Sequence, residues 1–138
     1  MRWVHALMLL TASTCFAADH GLTASGGWIR DTPPNSPVRA GYLVLRNEQP
    51  APHRVISARS AAFGAIDIHE MAASDDGVMR MRRVPEVVVP PRGEVVLAPG
   101  GLHLMLFRPA RPLVSGDRVE LTLELADGST IDTVLEQR

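Results

Sequence analysis

Turn residues recur so often along this chain that no long helix fits between them. Pro33-Pro34, Gln49-Pro50, Asp75-Asp76-Gly77, Pro90-Pro91-Arg92-Gly93, Pro99-Gly100-Gly101, Ser115-Gly116-Asp117 and Asp127-Gly128 cut it into short apolar or alternating runs. Glycine supplies positive φ and proline fixes φ, so each cluster ends whatever precedes it. Short runs at this spacing, without a 3.6-residue period, predict an antiparallel sandwich or barrel. Strands are expected at 27–30, 40–47, 53–60, 65–71, 78–83, 86–89, 94–97, 102–108, 118–125 and 130–135. The run from Arg118 to Leu125 alternates most cleanly and puts Val119, Leu121, Leu123 and Leu125 on a core face. Trp28 and Tyr42 also read as core residues.

The first residues read as a leader and not as part of the fold. Arg2 gives a positive start, 6–17 is apolar or small, and Asp19 ends the run. That is a secretory signal peptide in form, and too short for a membrane span. A cut after Ala17 leaves Cys15 and Ala17 at the two small-residue positions; a cut after Ala18 would put Phe16 at one of them. Residues 1–17 are therefore expected to be a signal peptide and 18–138 a single domain in the periplasm. Cys15 is a poor lipidation site, because Ala12-Ser13-Thr14 lacks the usual residues before a lipidated cysteine.

Composition removes several function classes. The sole cysteine lies in the leader, so the domain carries neither disulfides nor cysteine-based zinc sites. About 120 residues can nevertheless fold on an apolar core alone, so the metal-free chain is expected to be folded. All 14 basic residues are arginine, which rules out a lysine nucleophile or a P-loop. A net charge of −1 gives no footprint for nucleic acid or anionic lipid. Stable membrane insertion is not expected, no nucleophile-elbow motif is present, and the chain is expected to be monomeric.

Methionine and histidine carry the remaining information. After the leader the only methionines are Met71, Met79, Met81 and Met105, and His69 and His103 share that stretch. Residues two apart in a strand share a face, which pairs His69 with Met71, Met79 with Met81, and His103 with Met105. A hairpin across 72–78, in a register that sets His69 opposite Met81 and Met71 opposite Met79, would gather them. Thioethers are soft ligands suited to Cu(I), and imidazole also suits copper. A blue electron-transfer site needs a cysteine thiolate, which the domain lacks.

The spacing resembles that of the PCuAC family of periplasmic copper chaperones. The family pattern is His, usually Met, ten residues, Met, twenty-one residues, then His-x-Met. Here His69 and Glu70 are followed by ten residues and Met81, then by twenty-one residues and His103-Leu104-Met105. Glu70 in the optional methionine position is the only departure. The resemblance implies an all-β, cupredoxin-like Greek-key sandwich that binds one Cu(I) through His69, Met81, His103 and Met105. It also implies transfer to a copper-accepting protein: the dinuclear centre of cytochrome c oxidase, directly or with a Sco-type protein.

Met71 and Met79 are candidate auxiliary thioethers, with core filling as the simpler reading. His53 reads as solvated, Asp75 and Asp76 as turn residues, and Arg80, Arg82 and Arg83 as a solvated basic face. Cleavage after Ala17 would expose Ala18-Asp19-His20, whose amine, amides and imidazole form a square-planar set suited to Cu(II). Two rival functions stay open: a non-metal interaction module, and a copper enzyme with an N-terminal histidine freed by a cut before His20.

Overall fold

The computed structural model describes residues 21–138; the expected signal peptide and the Ala18-Asp19-His20 site lie outside them. Ten strands form: β1 (Leu22–Ile29), β2 (Val38–Asn47), β3 (His53–Arg59), β4 (Phe63–Ala73), β5 (Met79–Arg83), β6 (Val87–Val89), β7 (Glu94–Val96), β8 (His103–Pro109), β9 (Arg118–Leu125) and β10 (Thr130–Gln137). Each overlaps an expected strand, and no helix occurs among the described residues. β1 starts earlier than expected because its run is interrupted by a bulge between Ser25 and Trp28. Gly26 takes φ +61° there, and a side chain at Gly27 would collide with the Val134 carbonyl.

Hydrogen bonding runs continuously in the order β5-β4-β8-β2-β1-β10-β9-β3-β6, with β7 also on β2. β1 and β10 pair in parallel, and the other pairs are antiparallel. β3 and β4 are far apart in that order yet touch, so the ladder curls over and encloses one core. Every second residue faces inward. Val119, Leu121, Leu123 and Leu125 are all buried, as their alternation predicted, and pack with Leu43, Leu45, Leu104, Leu106 and Leu135. Burying a side chain of this kind contributes roughly 1.5–3 kcal/mol.

One charged side chain enters that core. Arg39 is only 1% exposed. Its guanidinium donates to Thr32 Oγ1 at 2.7 Å, Gln137 Oε1 at 2.9 Å and the Pro34 carbonyl at 2.8 Å, with longer bonds to the Pro33 and Leu113 carbonyls. Gln137, itself fully buried, donates to Asp31 at 2.9 Å. Arg39 thus ties the proline-rich 31–37 loop, the segment around Leu113 and the last strand together. Burial lowers its pKa, and Asp31 and Asp117 oppose the shift.

Candidate functional site

The site lies on the outer face of β4, β5 and β8. Along β4 and β8 the residues Ile66, Ile68, Leu104 and Leu106 point into the core, so Asp67, His69, Met71, His103 and Met105 point the other way. His69 stands directly opposite His103, and Asp67 opposite Met105.

The hairpin register differs from the expected one. Met71 faces Met81, His69 faces Arg83 and Ala73 faces Met79, a shift of two residues. β4 runs on to Ala73, and a tighter turn closes it. The Ser74 amide donates to the Val78 carbonyl at 2.9 Å, Gly77 takes φ +78°, and Asp76 Oδ1 accepts from the Val78 amide. A slip of two keeps every side chain on its expected face, so the methionines and histidines stay together. His69 is nevertheless set against His103, with Met81 two residue pairs further along, opposite Met71.

The two rings lie 6.0 Å apart between centroids, tilted by 53°. Metal–imidazole bonds are about 2 Å long, so one ion held by both rings fits a separation of about 6 Å. His103 is 5% exposed. Its Nδ1 lies 3.0 Å from the Gly101 carbonyl oxygen. A carbonyl can only accept, so Nδ1 carries the proton and Nε2 keeps its lone pair. The same carbonyl accepts from the Met71 amide, which locks the turn before β8 to β4. Gly100 takes φ +87° in that turn, as a residue with a side chain rarely does.

His69 is held differently. Its Nδ1 is buried without a hydrogen-bond partner, and its Nε2 lies 3.9 Å from an Asp67 carboxylate oxygen. Asp67 in turn sits 3.3 Å from Arg83 Nε. Burial, followed by the neighbouring His103, lowers the His69 pKa, with Asp67 opposing. Each imidazole therefore has one nitrogen engaged or facing a carboxylate and one without a protein partner.

A groove of about 310 Å³ opens over this face, lined by Met71, Met81, His103, Met105, Tyr42 and Gly100 among others. His69 is not in its lining, yet it pairs with His103, which is. In the same lining, Tyr42 packs on Trp28 with centroids 4.5 Å apart, Arg30 lies over the Tyr42 ring and Arg138 over the Trp28 ring. Tyr42 is buried as expected, whereas Trp28 is only partly so.

Other expectations divide. Met79 is 53% exposed and Met81 48%, so core filling does not describe Met79. All of β5 is exposed, because it is the last strand of its sheet edge. Arg80, Arg82 and Arg83 are solvated, and each is tied to a carboxylate on the same hairpin: Asp76, Glu70 and Asp67. His53 begins β3, partly buried and away from the site. Sequence reasoning missed Asp67 and Arg83 beside His69. The signal was available, since Asp67 lies two residues before His69 and so shares its face. Among the described residues, no group of three His, Cys, Asp or Glu side chains could hold a metal.

A family model described as "Putative lipoprotein LpqE-like" matches residues 22–136. The chain belongs to the LpqE-like family. A curated relative, the putative lipoprotein Lxx21020 of Leifsonia xyli subsp. xyli, is 27% identical over 110 residues, covering 80% of this chain and 65% of the relative. The uncharacterized protein RP573 of Rickettsia prowazekii is 29% identical over 91 residues, covering 65% and 50%. The chain thus spans between half and two thirds of the length of these two relatives.

Solved structures give the same fold. The copper-bound PCuAC domain from PmoF2 aligns with a TM-score of 0.71 at 23% identity, covering 86% of this chain and 92% of that one. The solution structure of CuI-DR1885 from Deinococcus radiodurans aligns with a TM-score of 0.66 at 26% identity, covering 91% and 83%. The PCuAC resemblance and the cupredoxin-like all-β fold read from the sequence are both borne out. No helix of the described residues is long and apolar enough to cross a membrane.

Proposed function

We propose that this LpqE-like protein is a copper chaperone of the periplasm. It binds one Cu(I) through His69, Met81, His103 and Met105 and passes it to an acceptor protein. The observation that carries this reading is the pairing of buried His103 with partly buried His69, each with an unpartnered nitrogen, on the face that also presents Met105 and Met81. Thioethers and neutral imidazoles favour Cu(I) over hard cations. The Cu(I)-bound neighbour from Deinococcus radiodurans supports the same ion. The signal-peptide form of residues 1–17 supports export. The PCuAC resemblance supports the dinuclear centre of cytochrome c oxidase as destination, directly or with a Sco-type protein.

Copper here is cargo, and the site suits a cargo. Half-exposed Met81 stands at the open edge, while His103 is buried beneath. An acceptor's ligands can replace the outer sulfur first and the inner nitrogens last.

The test is Cu(I) competition against a strong chelator as pH is lowered. Thioethers need no deprotonation, but imidazoles must be neutral to bind. Burial lowers the His69 pKa, so its imidazole stays available to lower pH than an ordinary histidine with pKa about 6.5. Affinity should fall as pH is lowered, but later than at a site of ordinary histidines, because His69 keeps its neutral form to lower pH. A chain that retains no copper at pH 7.5 contradicts the reading and favours the interaction module. Affinity unchanged down to pH 4 would remove both histidines from the site.

A further inference from the structure

The thioethers continue outward past the four-residue set. Met71 stands directly opposite Met81, and Met79 stands opposite Ala73, one step nearer the hairpin tip on the same face. Opposed residues of an antiparallel pair have Cβ atoms about 4.5–5.5 Å apart, and diagonal neighbours about 7–8 Å. Residues two apart along a strand are roughly 7 Å apart. Met71, Met79 and Met81 therefore stand on a small triangle. Each sulfur lies two bonds beyond Cβ on an unbranched, freely rotating side chain, so all three can reach one point. Ala73, opposite Met79, leaves that space open.

Packing does not explain Met79. It is 53% exposed on a strand whose five residues are all exposed. Exposed edge strands are usually defended with charge. On β5 the charges of Arg80 and Arg82 lie on the opposite face, paired with Asp76 and Glu70. The groove face near the tip carries sulfur instead.

We infer that Met71, Met79 and Met81 form an outer, all-thioether Cu(I) site at the tip of the β4–β5 hairpin, through which the ion enters and leaves the inner site. This rests on the copper reading above. Met81 belongs to both ligand sets. The ion moves outward by giving up His69, His103 and Met105 while it gains Met71 and Met79, and it stays on the Met81 sulfur throughout. Only dative bonds are exchanged; copper remains Cu(I) and no proton leaves a thioether. Three neutral sulfurs bind more weakly than the inner set, as a transfer station must.

Two measurements test it. In the first, the Met79→Leu protein is loaded with Cu(I) and mixed with excess chelator in a stopped-flow instrument. Transfer should slow about tenfold while the equilibrium affinity stays within about threefold of wild type; an unchanged transfer rate overturns the proposal. In the second, the His69→Ala/His103→Ala protein, shown to be folded by circular dichroism, is titrated with Ag(I) as a redox-inert stand-in. The methyl NMR signals of Met71, Met79 and Met81 should shift together, and adding Met79→Leu should abolish the shifts. Failure of Met79 to respond overturns the outer site even if the inner site binds copper normally. Loss of Cu(I) binding in the wild type alongside intact Ag(I) shifts would instead overturn the inner site alone.

Discussion

Replacing His103 with alanine should lower Cu(I) affinity about a hundredfold or more and leave the β fold intact. Residues that only support a metal ligand typically cost about 10–100-fold when lost, so removing a ligand should cost at least the upper part of that range. His103 is the best placed of the four. It is buried, its Nδ1–H is spent on the Gly101 carbonyl, and its Nε2 is left with a lone pair. The fold should tolerate the loss because the Gly101 carbonyl still accepts from the Met71 amide. Met105→Ala should act in the same direction. Met71→Leu should change the equilibrium affinity less than threefold, because Met71 belongs to the outer set. Chelator competition reads all three variants. A Met71 variant that loses copper while the Met105 variant keeps it would overturn the assignment.

The largest stability effect should come from the buried arginine of β2. Arg39→Ala removes one guanidinium and leaves buried Gln137 Oε1 and the Pro34 carbonyl without their donor, while the Leu113 carbonyl keeps only its bond from Gln137. Losing one partner of a buried charged network costs about 3–5 kcal/mol. Against a total stability of about 5–15 kcal/mol, that is a large share. The melting temperature should fall by roughly 10–20 °C. Arg39→Lys should recover only part of this, because one ammonium cannot span the fork from Thr32 to Leu113. Cu(I) affinity of the folded Arg39→Ala protein should stay within a few-fold of wild type. Differential scanning calorimetry of the metal-free chains decides it, and a melting temperature within 2 °C of wild type would contradict the role given to Arg39.

Strand positions were legible because proline and glycine mark this chain so densely. The core face of β9 followed from strict alternation, and the structure buries all four of its leucine and valine residues. Arg39 was not legible, although the clue was present. It lies on the same parity as Leu43 and Leu45, which points it inward. Arginine is so rarely buried without pairing that composition argues the other way. Its partners come from residues 31–34, 113 and 137, a convergence no local pattern encodes.

The candidate site was legible by face but not by neighbour. The i, i+2 rule put His69, Met71, His103 and Met105 on one side, and the structure does the same. Which side chains face each other depends on turn length. The Ser74–Val78 turn closed two residues tighter than the sequence suggested. That slip brings Met71 to Met81, and the pairing of β4 with β8 brings His69 to His103. Strand order is set by the whole sheet, so the histidine pair could not be read from either strand alone.

X-ray absorption at the copper edge of the Cu(I)-loaded chain tests the central claim most directly. The account predicts a mixed shell: two nitrogens at about 2.0 Å and two sulfurs at about 2.3 Å. His103→Ala should remove one nitrogen from that shell. A shell of sulfur alone, a shell without sulfur, or a spectrum unchanged by His103→Ala would contradict it.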